Sequence, residues 1–178
     1  MRPLASWRVI SRDFRLGQNK MRNSTLSSTL ARRPGFLVRR LHQIFISIYM
    51  QNCREFGTTP VQSSVMQVLF KKPGMDQVSL AAEIGMDRDT TSNVLGRLEK
   101  RGIVKRAVDQ TDRRNKRASL TPMGRDMITK MRRQIQLTHD KFLEPLSAGE
   151  RTRFKKMLCK LVDANNDLGR TTLGRSKE

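Results

Sequence analysis

The sequence predicts a mainly α-helical fold with one small β-hairpin set into it. Three observations carry this. Apolar residues recur at spacings of three and four along six stretches, the signature of helices with one buried face. Five of those stretches open on a residue suited to capping a helix N-terminus: Thr59, Asp76, Asp87, Thr121 and Ser147. Only two short runs, Ile103–Val108 and Lys116–Leu120, are rich in strand-forming residues, and a polar loop separates them.

Residues 1–34 carry scattered Arg, Ser and Asn without a sustained period, and are expected to form a flexible basic arm. Met1 to Lys20 holds five basic residues and one acid, a balance that also suits a transit peptide, or synthesis starting at Met21. Residues 35–58 follow as a first helix, with Leu37, Leu41, Ile44, Phe45, Ile48 and Asn52 on one stripe, ending near Gly57. Thr59-Pro60 starts the second helix, where proline's missing N–H is not needed. Val61, Val65, Val68 and Leu69 line it until Pro73-Gly74. Asp76 caps a third helix bearing Leu80, Ala81 and Ile84, and Gly85 allows a tight turn. Asp87 caps a fourth, with Thr91, Val94, Leu95 and Leu98 facing inward up to Gly102. After the two β runs, Thr121-Pro122 starts a long helix lined by Met123, Met127, Met131 and Ile135. Ser147 caps a last helix carrying Phe154, Leu158, Leu161, Val162 and Leu168, so that residues 122–168 form a helical pair. Residues 169–178 are expected to be a flexible tail.

The charge narrows the partners. There are 36 Lys+Arg against 16 Asp+Glu, a formal balance of +20. Such a field concentrates polyanions, above all phosphate backbones, around the protein. Anionic membranes and acidic proteins share that attraction, but no apolar run is long enough to span a bilayer. Cys53 and Cys159 lie inside helical apolar patterns and are expected to be buried, reduced thiols. His42 and His139 are the only histidines, and there is neither a Gly-rich phosphate loop nor a G-x-S-x-G. An enzyme is not expected, nor a metal or other cofactor; the expected location is the cytoplasm.

Gln77–Leu98 has the form of a helix-turn-helix. Ala81 is small where two helices approach, Gly85 lies four residues on, and Leu80, Ile84, Met86 and Val94 occupy the positions that set the interhelical angle. Thr91 departs from the pattern, at a position where a larger aliphatic residue packs better. A purely structural helical hairpin fits this segment about as well by itself. The loop Asp109–Asn115 adds the specific signal, because it sets Arg113 and Arg114 at a hairpin tip just after a candidate recognition helix. Arginine there suits a minor groove.

These residues resemble the MarR family, the multiple-antibiotic-resistance type regulators. The resemblance lies in Leu80-Ala-Ala-Glu-Ile-Gly-Met-Asp-Arg88, Leu95-Gly-Arg-Leu-Glu-Lys-Arg-Gly-Ile-Val104, Asp109-Gln-Thr-Asp-Arg-Arg114 and Ser119-Leu-Thr-Pro-Met-Gly124. It covers Thr58–Leu120 most closely and extends by helix order over roughly residues 36–168; residues 1–30 have no counterpart.

The resemblance implies a winged helix-turn-helix over residues 59–121, within a homodimer built from the N- and C-terminal helices. Its fourth helix would enter the major groove of double-stranded DNA with Arg88, Asp89, Thr90, Ser92, Asn93 and Arg97 outward. Arg88, Thr90 and Asn93 are the candidates for base contact. Arg113 or Arg114 would enter the minor groove, while Asp112 pairs with a basic residue such as Arg97. Lys116, with Lys72, Lys105 and Arg106, would touch phosphate or face solvent. A small aromatic carboxylate would act as effector in a cleft whose candidate lining is Arg39, Arg40, His42, Gln43, Met66 and Met127. Helical Arg pairs more often face solvent, and Met at helical spacing more often fills a core. The expected function is a ligand-responsive repressor on a pseudo-palindromic operator, controlling aromatic-compound catabolism. The alternative is a non-specific basic protein coating DNA or another polyanion.

Overall fold

The computed structural model describes residues 29–109, 116–169 and 171–174. Six α-helices and three strands follow in the order α1 (Pro34–Asn52), α2 (Pro60–Lys71), β1 (Met75–Asp76), α3 (Gln77–Ile84), α4 (Arg88–Lys100), β2 (Val104–Val108), β3 (Lys116–Leu120), α5 (Pro122–Leu143) and α6 (Ala148–Asn165). Short 3-10 turns occupy Thr29–Arg32, Arg54–Phe56 and Asn166–Leu168. The chain divides into two compact units, Met1–Gln43 and Ile44–Glu178.

In the first unit, the opening turns of α1 expose Val38, Arg39, Arg40, Leu41, His42 and Gln43. The Arg39 guanidinium lies 5.3 Å from the centre of the Phe36 ring, and Arg40 Nη1 donates to Gln43 Oε1 at 3.4 Å. These contacts link neighbours one helical turn apart.

The second unit is held by local caps and one apolar core. Thr59 and Gln62 form a reciprocal capping box at α2, with hydrogen bonds of 3.0 and 3.3 Å. Ser147 and Glu150 repeat it at α6. Asp76 Oδ1 accepts from the Val78 and Ser79 amides, both at 2.9 Å, to start α3. Val65, Met66 and Leu69 of α2 meet Leu80, Leu95, Leu98, Ile103, Val104, Leu120, Ile128 and Met131 in the core. Burial of such side chains stabilises by roughly 1.5–3 kcal/mol each. The remaining turns of α1 join α5 through Phe45, edge-on to Phe142 at 5.5 Å, and through Asn52 Nδ2, which donates to Thr138 Oγ1 at 3.2 Å. Tyr49 and Cys53 are buried beside them, and the Tyr49 and Thr58 hydroxyls are hydrogen-bonded at 2.9 Å. Burial pushes the Cys53 thiol pKa up.

Several placements differ from expectation. The hairpin is part of a three-stranded antiparallel sheet of order β1-β3-β2, in which Met75 faces Ala118 and Asp76 faces Arg117. A two-residue strand shows no sequence period, so pairing with β3 alone defines it. Cys159 is exposed rather than buried, because α6 leaves Met157, Leu158, Leu161 and Val162 exposed as well. Met123 is also exposed on α5. Thr91 has no exposed surface, and its hydroxyl donates to the Asp87 carbonyl at 2.9 Å, so the polar atom at this packing position is satisfied.

Candidate nucleic-acid interface

The interface starts from the angle between α3 and α4. Gly85 adopts φ +66°, which an L side chain rarely takes, and Met86 N–H returns to the Ala81 carbonyl at 3.0 Å. Asp87 then caps α4, accepting from the Thr90 amide at 2.8 Å and its hydroxyl at 2.7 Å. Those bonds, led by the Thr90 amide, hold the Asp87 carboxyl below its ordinary pKa. Gln77 Nε2 donates to the Arg88 carbonyl at 2.9 Å and ties the two helix starts together.

With Thr91, Leu95 and Leu98 buried, the helical repeat turns the polar side of α4 outward. Arg88, Asp89, Asn93 and Arg97 are exposed, and Thr90 and Ser92 are half-buried. The Thr90 hydroxyl is engaged in the cap, which leaves Arg88 and Asn93 as the less committed pair of the three base-contact candidates. At the far end, Arg101 donates to the carbonyls of Gly57 and Phe56 at 2.7 and 2.8 Å, locking α4 to the α1–α2 connection.

Strands β2 and β3 pair from Val104↔Leu120 to Val108↔Lys116. Their outer end is braced by Asp109, whose carboxylate accepts from Arg117 Nε at 2.5 Å, while Arg117 Nη1 donates to the Gly74 carbonyl at 3.1 Å. The sequence reading missed this brace; an acid and a base flanking a basic loop was its only trace. Lys116 is exposed beside it. Asp112, Arg113 and Arg114 lie outside the described residues, and so does the expected pairing of Asp112. Of the other cations weighed as phosphate contacts, Lys72 is paired with Glu83 at 2.9 Å and Arg106 with Glu99, whereas Lys105 is exposed. The hydrogen bond from Arg106 holds the Glu99 carboxyl below its usual range.

Of the candidate effector residues, four belong to the first unit and two to the second. Arg39, Arg40, His42 and Gln43 are exposed on α1, Met66 is fully enclosed in the core, and Met127 is half-buried against it. The second unit has a cavity of 290 Å³ between α2 and α5, lined by Gln67, Phe70, Lys71, Ile128, Arg132, Ile135 and Gln136. The Arg132 guanidinium stands 4.7 Å from the centre of the Phe70 ring. Among the described residues no cluster of acids, histidines and cysteines suits a metal ion, and no helix is long and apolar enough to cross a membrane.

A capped helix-turn-helix followed by a braced antiparallel hairpin defines a winged-helix protein. The profile of the MarR family matches residues 58–116. The chain is 28% identical over 162 residues to the putative transcriptional regulatory protein for the hcr operon of Thauera aromatica, covering 86% of this chain and 96% of that one. It superposes on the PcaV transcriptional regulator from Streptomyces coelicolor, solved with its natural ligand, with TM-score 0.72 and 32% identity, over 78% of this chain and 97% of that chain. It also matches Bordetella bronchiseptica BpsR, from a study of regulation of DNA binding by 6-hydroxynicotinic acid, with TM-score 0.73 and 25% identity, over 76% and 97% of the two chains. The chain belongs to the MarR family of transcription regulators.

Proposed function

We propose that this chain is a sequence-specific, ligand-responsive DNA-binding repressor that works as a homodimer on a pseudo-palindromic operator. The observation that carries the reading is the two-sided character of α4. Its apolar side is locked in the core, and its outward side offers Arg88, Asp89, Asn93 and Arg97 next to a braced wing. Arg88 and Asn93 reach base edges, with guanine and adenine as their geometric partners. Lys105 and Lys116 serve phosphates, and by resemblance the wing tip with Asp112, Arg113 and Arg114 enters the minor groove. Dimerisation covers the exposed apolar side chains of α1 and α6, since Leu161 and Val162 are 59% and 50% exposed. Two recognition helices then meet half-sites about 34–36 Å apart.

The effector in this reading is a small aromatic carboxylate, in line with the ligand named for BpsR and with control of aromatic-compound catabolism. The α2–α5 cavity supports it: 290 Å³ lies near the lower end of the roughly 300–1,000 Å³ usual for ligand pockets. Arg132 and Lys71 supply positive charge, and Phe70, Ile128 and Ile135 supply apolar wall.

Selection from random duplexes at physiological salt tests the proposal, with Arg88→Ala and Asn93→Ala beside the intact chain. Recovery of an inverted repeat, relaxed at separate positions in the two variants, is the expected outcome. Equal binding by all three proteins with no motif would leave a non-specific polyanion binder. Arg132→Ala is expected to bind the operator normally and to lose release by aromatic carboxylates.

A further inference from the structure

The segment after α6 returns to the helix-turn-helix. Gly174 N–H donates to the Ala82 carbonyl at 2.8 Å, in the last turn of α3. That carbonyl is one of the groups a helix C-terminus leaves without a full intrahelical partner, and among the described residues it also receives a longer bond from Gly85 N–H at 3.3 Å. Leu173 lies over the turn itself, its Cδ1 only 2.7 Å from where a β-carbon on Gly85 would stand. Leu173 is also tied back to the turn that follows α6. Asn166 Oδ1 accepts from Leu173 N–H at 2.8 Å, and Asn166 Nδ2 donates to the Leu173 carbonyl at 3.1 Å. One asparagine side chain thus engages both backbone groups of Leu173.

We infer that residues 171–174 are a strap that fastens the end of α6 to the turn between α3 and α4 and so sets the pose of the recognition helix. The contact falls on the hinge of the helix-turn-helix: Ala82 and Gly85 lie five and two residues before the Asp87 cap of α4. Gly85 has two reasons to be glycine, its left-handed backbone and the room it leaves for Leu173. Movement at the end of α6 is therefore transmitted to the start of α4 by three hydrogen bonds and one apolar contact, without passing through the core. Fastening the hinge before DNA arrives lowers the ordering cost of binding. The consequence for DNA rests on the function proposed above; the strap itself does not.

The test uses the full chain and two charge-neutral variants, Leu173→Ser and Asn166→Ala. Amide hydrogen exchange followed by NMR reads the strap directly. In the intact chain the Gly174 amide is expected to exchange at least about tenfold slower than in an unstructured peptide. In both variants that protection falls, and the Gly85 and Met86 amides exchange faster while the core amides do not. Operator affinity is expected to weaken by about threefold to tenfold, the worth of one hydrogen bond, with affinity for bulk DNA unchanged. An unprotected Gly174 amide in the intact chain, or turn amides indifferent to Leu173→Ser, overturns the strap. If the intact chain selects no operator, the DNA reading fails and the exchange data still decide the strap. If an operator is bound and exchange changes but affinity does not, the coupling is refuted.

Discussion

Replacing Gly124 by alanine sets two effects of opposite sign against each other. Gly124 lies in the first turn of α5, where alanine is intrinsically better than glycine by about 1 kcal/mol. The site is closed, however. An added β-carbon would fall onto the Ile103 carbonyl oxygen, 3.1 Å from the carbonyl carbon and 3.2 Å from Ile103 Cγ2. Backbone cannot swing aside as a flexible side chain can, so overpacking of about 1–3 kcal/mol follows. The same carbonyl accepts the Thr121 amide at 3.0 Å and its hydroxyl at 3.2 Å, and displacing Ile103 puts about 1 kcal/mol of hydrogen bonding at risk. The clash wins: a net loss of about 1–3 kcal/mol is expected, which lowers Tm by roughly 3–10 °C. Gly96 is the control, because it sits in α4 with nothing within 4 Å of its added carbon. Gly96→Ala should gain up to about 1 kcal/mol. Thermal and urea unfolding at one fixed protein concentration measure both. A Gly124→Ala protein as stable as the unmutated chain would refute the argument that the α5 start and the base of the wing are packed backbone to side chain.

Acid should loosen the helix-turn-helix. The Asp76, Asp87 and Glu99 carboxyls have folded pKa values below the ordinary range, chiefly through hydrogen bonds from Ser79, Thr90 and Arg106 respectively. Their contribution is therefore present above about pH 4 and is lost as pH falls through the lowered folded values. Asp87→Asn keeps one capping oxygen but cannot titrate; it should be somewhat less stable than the unmutated chain near neutral pH and show a shallower loss of Tm in acid. An identical acid profile would count against the cap as a source of that loss. Arg101→Met, which keeps the apolar stem and removes two exposed hydrogen bonds to the α1–α2 connection, should cost about 1 kcal/mol and loosen the Phe56 and Gly57 region. An unchanged Tm would show that the clamp contributes nothing measurable. Lys105→Gln and Lys116→Gln should each lower the salt dependence of binding to any duplex by about one unit of slope, leaving sequence preference intact. A changed motif would make them base readers instead.

How much was legible from the chain alone follows the range of each interaction. Capping is local, so Thr59, Asp76, Asp87, Thr121 and Ser147 could be read within four residues of sequence, and the structure uses all five as caps. The outward face of α4 was readable for the same reason, since its helical period says which residues share a side. The pairing of Met75–Asp76 with β3, the Asp109–Arg117 brace, the Tyr49–Thr58 hydrogen bond and the α2–α5 cavity were not readable. Met66 shows the limit most simply: its spacing suits a cleft wall or a core equally well, and the neighbours packed around it place it in the core. Local hydrogen bonding and helical period are written in adjacent residues, and from them the sequence by itself determined the helices, their caps and the polar face of α4. The pairing of β1 with β3, the enclosed side chains and the bond of the strap to Ala82 join residues far apart in the chain, and only the packing of the folded elements decided which of them meet.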